Sequence, residues 1–351
     1  MTQLLVAPFE RPYLTRALVE LLLLGGVAAV VGVFVLLRRL AFLTDALTHT
    51  VFPGVVVGFL LGGQSGIFPG ALVVACVAAG LFTLLAATRR VGEDAALAIL
   101  LTGFFAIGVV LVSRRSSYTA DLTAFLFGRV LTVRVSDIVA TAVVAAFVLV
   151  ILAVLRKELL LVAFDPESAR AAGYRVAALD LALNLAIALV VVAAVRAVGT
   201  VLVIALVVVP AAAARLLSDR LIVIVTVAAA LGMASGWLGL LVSYRISVDH
   251  GIRLATGATV VLVLVAAYLL ALAAAAVRAR LRPRYQGGTR GSRRAVAATP
   301  SPDDPQADDP QSMATTPGER PGMGTRHGLT KNSDGRPGAA GPGTEIGLGT
   351  R

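Results

Sequence analysis

Apolar stretches of roughly twenty residues follow one another along most of this chain, from about residue 14 to about residue 277, each closed by short polar or basic punctuation. A run of that length is what an α-helix rising about 1.5 Å per residue needs to cross a hydrocarbon core about 30 Å thick. The windows fall at about 14–37, 41–61, 67–88, 94–113, 135–155, 177–195, 198–217, 221–242 and 254–277. They predict an all-α protein, a polytopic transmembrane helical bundle of eight or nine spans. Two helices meet near Arg196 and Gly199 with almost no loop, and the count is eight if one window is re-entrant. The run from Leu14 to Leu37 is too long for a signal-peptide core and is followed by no small-residue cleavage site, so it reads as a retained first span.

Composition agrees with this reading. Of 351 residues, 58% are hydrophobic and only 15% charged, and the mean hydropathy is +0.89, far from a soluble domain. The formal charge of +11 does not point to nucleic acid, because the bases are scattered as pairs between apolar runs instead of forming a stripe. They read as topogenic charges. With the N-terminus outside, every inside loop receives a basic pair or more, from Arg38 and Arg39 through Arg156 and Lys157 to Arg278, Arg280 and Arg282. The transmembrane domain is assigned to residues 1–282. Residues 283–351 change abruptly to Pro, Gly, Thr, Asp and Arg, too little apolar surface to offset chain entropy, and are expected to be a disordered cytoplasmic tail. His327 lies in that tail and reads as a solvated residue. The single cysteine, Cys76, excludes a disulfide framework or a Cys-based metal site.

Asp45 and His49 break the apolar pattern of the second window. Four residues apart, they share one helix face, and Pro53 has no N–H to give the carbonyl of His49, so a backbone oxygen is freed beside the imidazole. Counted from Arg38 and Arg39 at the inner surface, His49 lies about 15 Å along the helix, close to mid-membrane. Ionisable groups at that depth usually face a bundle interior or a water pathway. Imidazole nitrogen and carboxylate oxygen suit zinc, manganese or ferrous iron, and two ligands are too few for a closed structural site. A second copy across a two-fold axis would supply a two-Asp, two-His set. The competing reading is a packing pair in which Asp45 and His49 simply hydrogen-bond each other.

A second stretch, Phe164-Asp165-Pro166-Glu167-Ser168-Ala169-Arg170-Ala171-Ala172-Gly173-Tyr174, specifies a capped helix of about two turns on the cytoplasmic side. Asp165 suits the N-cap, Pro166 the first position, Glu167 the positive end of the dipole and Gly173 the stop. It has the form of a rigid docking knob, with an ordinary interhelical loop as the alternative. Asp121 and Gly128 punctuate a similar short stretch on the outer side. Glu93 and Asp94 suit the N-terminus of the fourth span, Asp249 and His250 read as a solvated pair in an outer loop, and Pro210, followed by four alanines, suits a close helix approach in a bundle interior or dimer seam. Pro53, Gly54 and Pro210 are the expected helix breaks along a pathway. No P-loop and no His-Glu-x-x-His helix occurs, so the chain is expected not to hydrolyse ATP itself and not to be an enzyme.

With these residues in hand, the chain closely resembles the membrane permeases of the bacterial zinc, manganese and iron ABC importers. The resemblance runs through Arg38-Arg39-Leu40-Ala41, Asp45-Ala46-Leu47-Thr48-His49 and Pro53-Gly54. It continues through Glu93-Asp94-Ala95-Ala96, Phe105-Ala106-Ile107-Gly108, Asp121-Leu122 and Phe125 to Gly128, then Phe164-Asp165-Pro166-Glu167, Val198-Gly199 and Pro210 to Arg215. It implies a homodimeric permease in the bacterial inner membrane that binds two ATPase subunits and takes its ion from an extracytoplasmic metal-binding protein. The cargo is a divalent metal, and no cofactor is bound permanently. The segment with Phe164, Asp165, Pro166, Glu167, Arg170 and Gly173 is then the coupling helix, and Asp45 with His49 the ion site. Alternatives are a permease for a metal chelate or metal-organic cofactor, which would want a wide apolar cavity, and a proton-driven secondary metal transporter. An intramembrane metalloenzyme would need three protein ligands and a general base, which three histidines, only one of them in a span, do not supply.

Overall fold

The computed structural model describes residues 11–88, 91–113, 128, 130–250 and 254–281. The stretch from Asp121 to Phe127 and the tail from residue 283 lie outside the described residues. The described helices are α1 (Pro12–Leu37), α2 (Ala41–Thr50), α3 (Phe52–Ala87), α4 (Glu93–Ser113), α5 (Val135–Val154), α6 (Arg156–Phe164), α7 (Pro166–Ala171), α8 (Val176–Val198), α9 (Thr200–Leu217), α10 (Leu221–His250) and α11 (Thr256–Leu281). Eight described helical stretches are long and apolar enough to cross a membrane.

One of the eight, Ala41–Ala87, has 47 residues, about twice a single crossing, and it folds back on itself. Gly63 sits at φ 59° and ψ −144°, a backbone conformation that side-chain-bearing residues avoid. A Cβ at Gly58 would overlap the carbonyl oxygen of Gly66, and one at Gly54 would press on that of Gly70. These pairs are symmetric about the bend, so the two arms of α3 run antiparallel and meet through glycine, at a separation no larger residue permits. The stretch is therefore two crossings. Among the described residues the bundle has nine, divided where the apolar windows divide.

Helices α1, α8 and α9 form the buried centre, with α10 and α11 packed on α9 and with α3 and α5 on α8. Gly32 of α1 faces the carbonyl of Val207 on α9, where a Cβ would overlap it, and Pro210, Ala211, Ala213 and Ala214 of α9 are all buried. The close approach foreseen around Pro210 therefore belongs to the bundle interior. The expected break does not: α9 runs from Thr200 to Leu217 through Pro210, because one missing hydrogen bond does not unseat a helix packed along its length. Gly199, at φ 81°, makes the whole turn between α8 and α9.

Two further differences from the sequence reading concern helix ends. Asp249 and His250 are in the last turn of α10 and not in a loop, since neither Gly nor Pro lies between Gly239 and Gly251 to stop the helix. Between α5 and α7 the chain forms α6, anchored by buried Leu159 and Val162. One end of the bundle gathers Leu37, Leu160, Arg215 and Asp219 around a small cleft, and the other gathers Gln64, Arg134, Arg196 and Thr256 around a large one.

Candidate functional site

Helix α2 starts after a sharp turn from α1 and stops at Thr50, just before the proline-led start of α3. Arg39 lies at φ 58°, and α2 begins two residues later. Its buried face carries Leu43, Ala46, Leu47 and Thr50, so Asp45 and His49 are left on the opposite side, 40% and 36% exposed in the single chain. Thr48 donates its hydroxyl to the carbonyl of Asp45 at 2.7 Å, which satisfies the threonine without drawing on either functional side chain. Val51 is one turn residue between α2 and α3, and Pro53 opens α3, where a missing N–H costs nothing.

The distance from His49 Nε2 to Asp45 Oδ1 is 3.9 Å, beyond hydrogen-bond reach. The pair is thus not bonded to itself, although the spacing does bring both side chains to one face. The imidazole stands edge-on to Phe105 of α4, ring centroids 6.4 Å apart, and Phe105 in turn packs on Phe52 at 5.8 Å. Gly108 makes room for Phe52, since a Cβ there would overlap its ring. An aromatic wall so placed packs against one side of the His49 ring, and both the imidazole and the carboxylate remain partly exposed. No group of three or more His, Cys, Asp or Glu that would hold a metal occurs among the described residues.

The stretch at Phe164–Tyr174 folds as the capping residues predict. Asp165 accepts from the backbone N–H groups of Glu167 at 3.1 Å and Ser168 at 2.9 Å and from the Ser168 hydroxyl. The Ser168 hydroxyl, ahead of the backbone donors, holds the Asp165 carboxyl below the usual carboxylate range. Gly173, at φ 87°, ends the helix, with the Tyr174 N–H donating back to Ala169. Ala169 is the buried anchor, while Phe164, Asp165, Pro166, Glu167, Arg170 and Gly173 all face outward, Phe164 being 75% exposed.

Arg38, which the sequence reading treats only as a topogenic base, ties this knob to the Asp45–His49 helix. Its guanidinium donates to the carbonyl of Val162 on α6 at 2.9 Å and pairs with Asp180 on α8. One side chain at the start of the α2 turn therefore holds both flanks of α7. Asp180 went unread because it lies among apolar residues near a span end, where a single acid looks like punctuation.

The sequence reading also missed Glu20, an acid about two turns into the first apolar helix. It is fully buried, accepts from the Thr141 hydroxyl of α5 at 2.7 Å through Oε1, and has no partner at Oε2. It lies against an outward cleft of about 1180 Å³ whose wall includes Val51, Val55, Asp137 and Arg196 but neither Asp45 nor His49. The depth of Glu20 in an otherwise apolar window was the signal available.

Comparison with known proteins accords with this arrangement. The model of the ABC 3 transport family matches residues 10–275. The chain is 37% identical to the manganese transport system membrane protein MntC of Halalkalibacterium halodurans over 261 residues, 74% of this chain and 86% of that protein. It is 30% identical to a probable iron transport system membrane protein of Haemophilus influenzae over 281 residues, 79% of this chain and 98% of that protein. Among solved structures, PsaBC from Streptococcus pneumoniae in complex with Fab superposes with a TM-score of 0.66 at 31% identity, covering 78% of this chain and 95% of that one. A multi-pass helical bundle with an outward-facing capped helix, matched over nearly its whole described length, is thus a membrane permease belonging to the ABC 3 transport family.

Proposed function

We propose that the chain is the permease subunit of an ABC importer that carries a divalent transition-metal ion, manganese(II) or ferrous iron before zinc, inward across the bacterial inner membrane. The observation that carries this reading is the Asp45–His49 pair. It is an unbonded carboxylate and imidazole on a helix whose other exposed large residue on that face is Phe42. Two ionisable groups left open on the flank of an apolar bundle are costly unless something covers them. A second copy related by a two-fold axis covers them and doubles the ligand set to two nitrogens and two carboxylates, enough for a borderline ion and open enough to release it. The metals in the relatives' names agree with that donor chemistry.

The energy comes from a separate ATPase pair seated on the outward face of α7, and the ion arrives from an extracytoplasmic metal-binding protein. ATP binding closes the ATPase pair, α7 moves with it, and Arg38 passes the displacement to the start of α2, so the site exchanges access from one side to the other. The ion is cargo and no resident cofactor is required.

The test is uptake into proteoliposomes holding this chain with its ATPase and binding protein, comparing manganese(II), ferrous iron and zinc with and without ATP. ATP-dependent accumulation of at least one metal, lost in Asp45→Ala protein that still assembles, is the expected result. Accumulation that runs on a proton gradient without the ATPase would overturn the ABC mechanism, and uptake of none of the three by a normal assembly would overturn the substrate class.

A further inference from the structure

The outer half of the molecule holds a buried acid that the Asp45–His49 mechanism leaves unused. Glu20 lies two turns inside the outer end of α1 and is 0% exposed. Its Oε1 is fixed by the Thr141 hydroxyl at 2.7 Å. Its Oε2 is equally buried and meets no donor among the described residues. A carboxylate oxygen without a donor in an apolar surround is costly to keep, and such a group in a native protein calls for a ligand.

A cleft of about 1180 Å³ has Glu20 in its wall; Oε2 is closed off from it as the side chain stands, so a ligand there meets Oε2 once the side chain turns toward the cleft. Three other charged groups line it, Arg134, Asp137 and Arg196, and the last two cancel. Asp137, one turn outward of Thr141 on α5, has one carboxylate oxygen on Arg196 at 2.6 Å and the other on the backbone N–H of Arg134 at 3.1 Å. The Arg196 charge is thereby neutralised, and the Asp137 oxygens are spent. Glu20 is left as the one uncompensated carboxylate at the inner limit of the cleft among the described residues. The same cleft touches Val51, the turn residue two positions beyond His49, so Glu20 stands beside the outer approach to the α2–α3 turn.

We infer that Glu20, with the Thr141 hydroxyl, forms a second cation subsite, a hydrated waystation that a divalent ion occupies before it reaches Asp45 and His49. The donors present are one carboxylate oxygen and one hydroxyl, both hard oxygen ligands, and the cleft has room for the ion to keep most of its water. That set suits manganese(II) or ferrous iron and is a poor match for zinc, which favours four-coordinate sites with nitrogen or sulfur. The contrast with the nitrogen-bearing Asp45–His49 site means that the outer subsite admits by charge and hydration, and the inner one selects by ligand type. This inference deepens the reading of the chain as a metal importer and rests on it.

The test is manganese(II) binding to the permease–ATPase complex in lipid nanodiscs, read from the loss of the free-ion electron paramagnetic resonance signal, with manganese(II) itself as the probe. Asp45→Ala protein is expected to keep one weak class of bound ion, and adding Glu20→Gln, which preserves shape and the Thr141 hydrogen bond, is expected to remove it. Thr141→Val in the Asp45→Ala background is expected to weaken that class about tenfold by removing a ligand and the group that orients Glu20. It serves as the second variant should Glu20→Gln assemble poorly. A residual class unchanged by both substitutions, or no residual class in Asp45→Ala, overturns the subsite. The importer reading fails separately, through undiminished uptake by Asp45→Ala vesicles.

Discussion

Asp45 and Glu20 are both acids set into apolar helices, yet the chain treats them in opposite ways. Asp45 is 40% exposed and stands 3.9 Å from an imidazole that does not bond it, on the flank of the bundle against the aromatic wall of Phe105 and Phe52. Glu20 is sealed inside α1 and α5, one oxygen satisfied and the other not. The first pair is open to whatever lies beyond the chain's own surface, and the second acid is closed in with one oxygen unpartnered. In a membrane, where an exposed acid has no water to turn to, that difference is what the proposed reading requires of a site shared between two copies and of a subsite built by one chain.

The largest effect should come from Gly58, because the glycine contact of α3 positions both regions at once. Its outer arm carries Val55 into the wall of the cleft, and α2 leads directly into it. Gly58→Val drives a side chain into the backbone of Gly66 and should destabilise the permease by about 3 kcal/mol, seen as a lowered unfolding midpoint in detergent. If the variant unfolds like the parent, the two arms do not meet as described. Next, His49→Ala should bring metal uptake to background while the unfolding midpoint stays within a degree or two. Retained uptake there would make the half-exposed pair a passenger.

Arg38→Gln should have an intermediate effect. It removes the partner of Asp180 and the donor to Val162, a loss of about 2 kcal/mol for a pair between exposed and fully buried. Amide exchange at the start of α2 should rise and uptake should fall. Manganese(II) held at Glu20 should not change, and a fall in that binding as well would mean that the two regions are coupled through the bundle and not separately built.

How much of this was legible in the chain depends on whether a signal is local. Apolar windows, caps and stops act within a few residues, so the nine crossings and the capped helix at Asp165–Gly173 were readable. The pairing of Asp45 with His49 on one face followed from a spacing of four. The turn at Gly63 was marked by an interval between windows, but the glycine contacts across it, Gly54 with Gly70 and Gly58 with Gly66, are visible only once the arms are laid side by side. Glu20 with Thr141 and Arg38 with Asp180 are bonds across more than a hundred residues, which no periodicity encodes. Pro210 shows the reverse error, a strong local rule overridden by packing on α1.

The smallest expected effect falls on the capped helix itself, and it isolates coupling from binding. Asp165→Ala removes the acceptor for two backbone N–H groups and the Ser168 hydroxyl. It should cut ATP-driven uptake by less than an order of magnitude and leave both classes of bound manganese(II) intact. The pH dependence has a definite sign. The Ser168 hydroxyl, then its backbone N–H, holds the Asp165 carboxyl below its ordinary value, so the cap's contribution is present in full above the ordinary Asp pKa of about 3.9. It is lost only as pH falls through the lowered folded value. Amide exchange across 164–174 should therefore be as slow, relative to the intrinsic rate, at pH 5 as at pH 7 in the parent, and faster at both in Asp165→Ala. Ser168→Ala should lie between them, because it removes the largest contributor to the lowered pKa and leaves the backbone bonds. If acidification to pH 5 loosens the parent segment by itself, the cap is not what holds it, and the displacement that reaches Arg38 must start elsewhere than in α7.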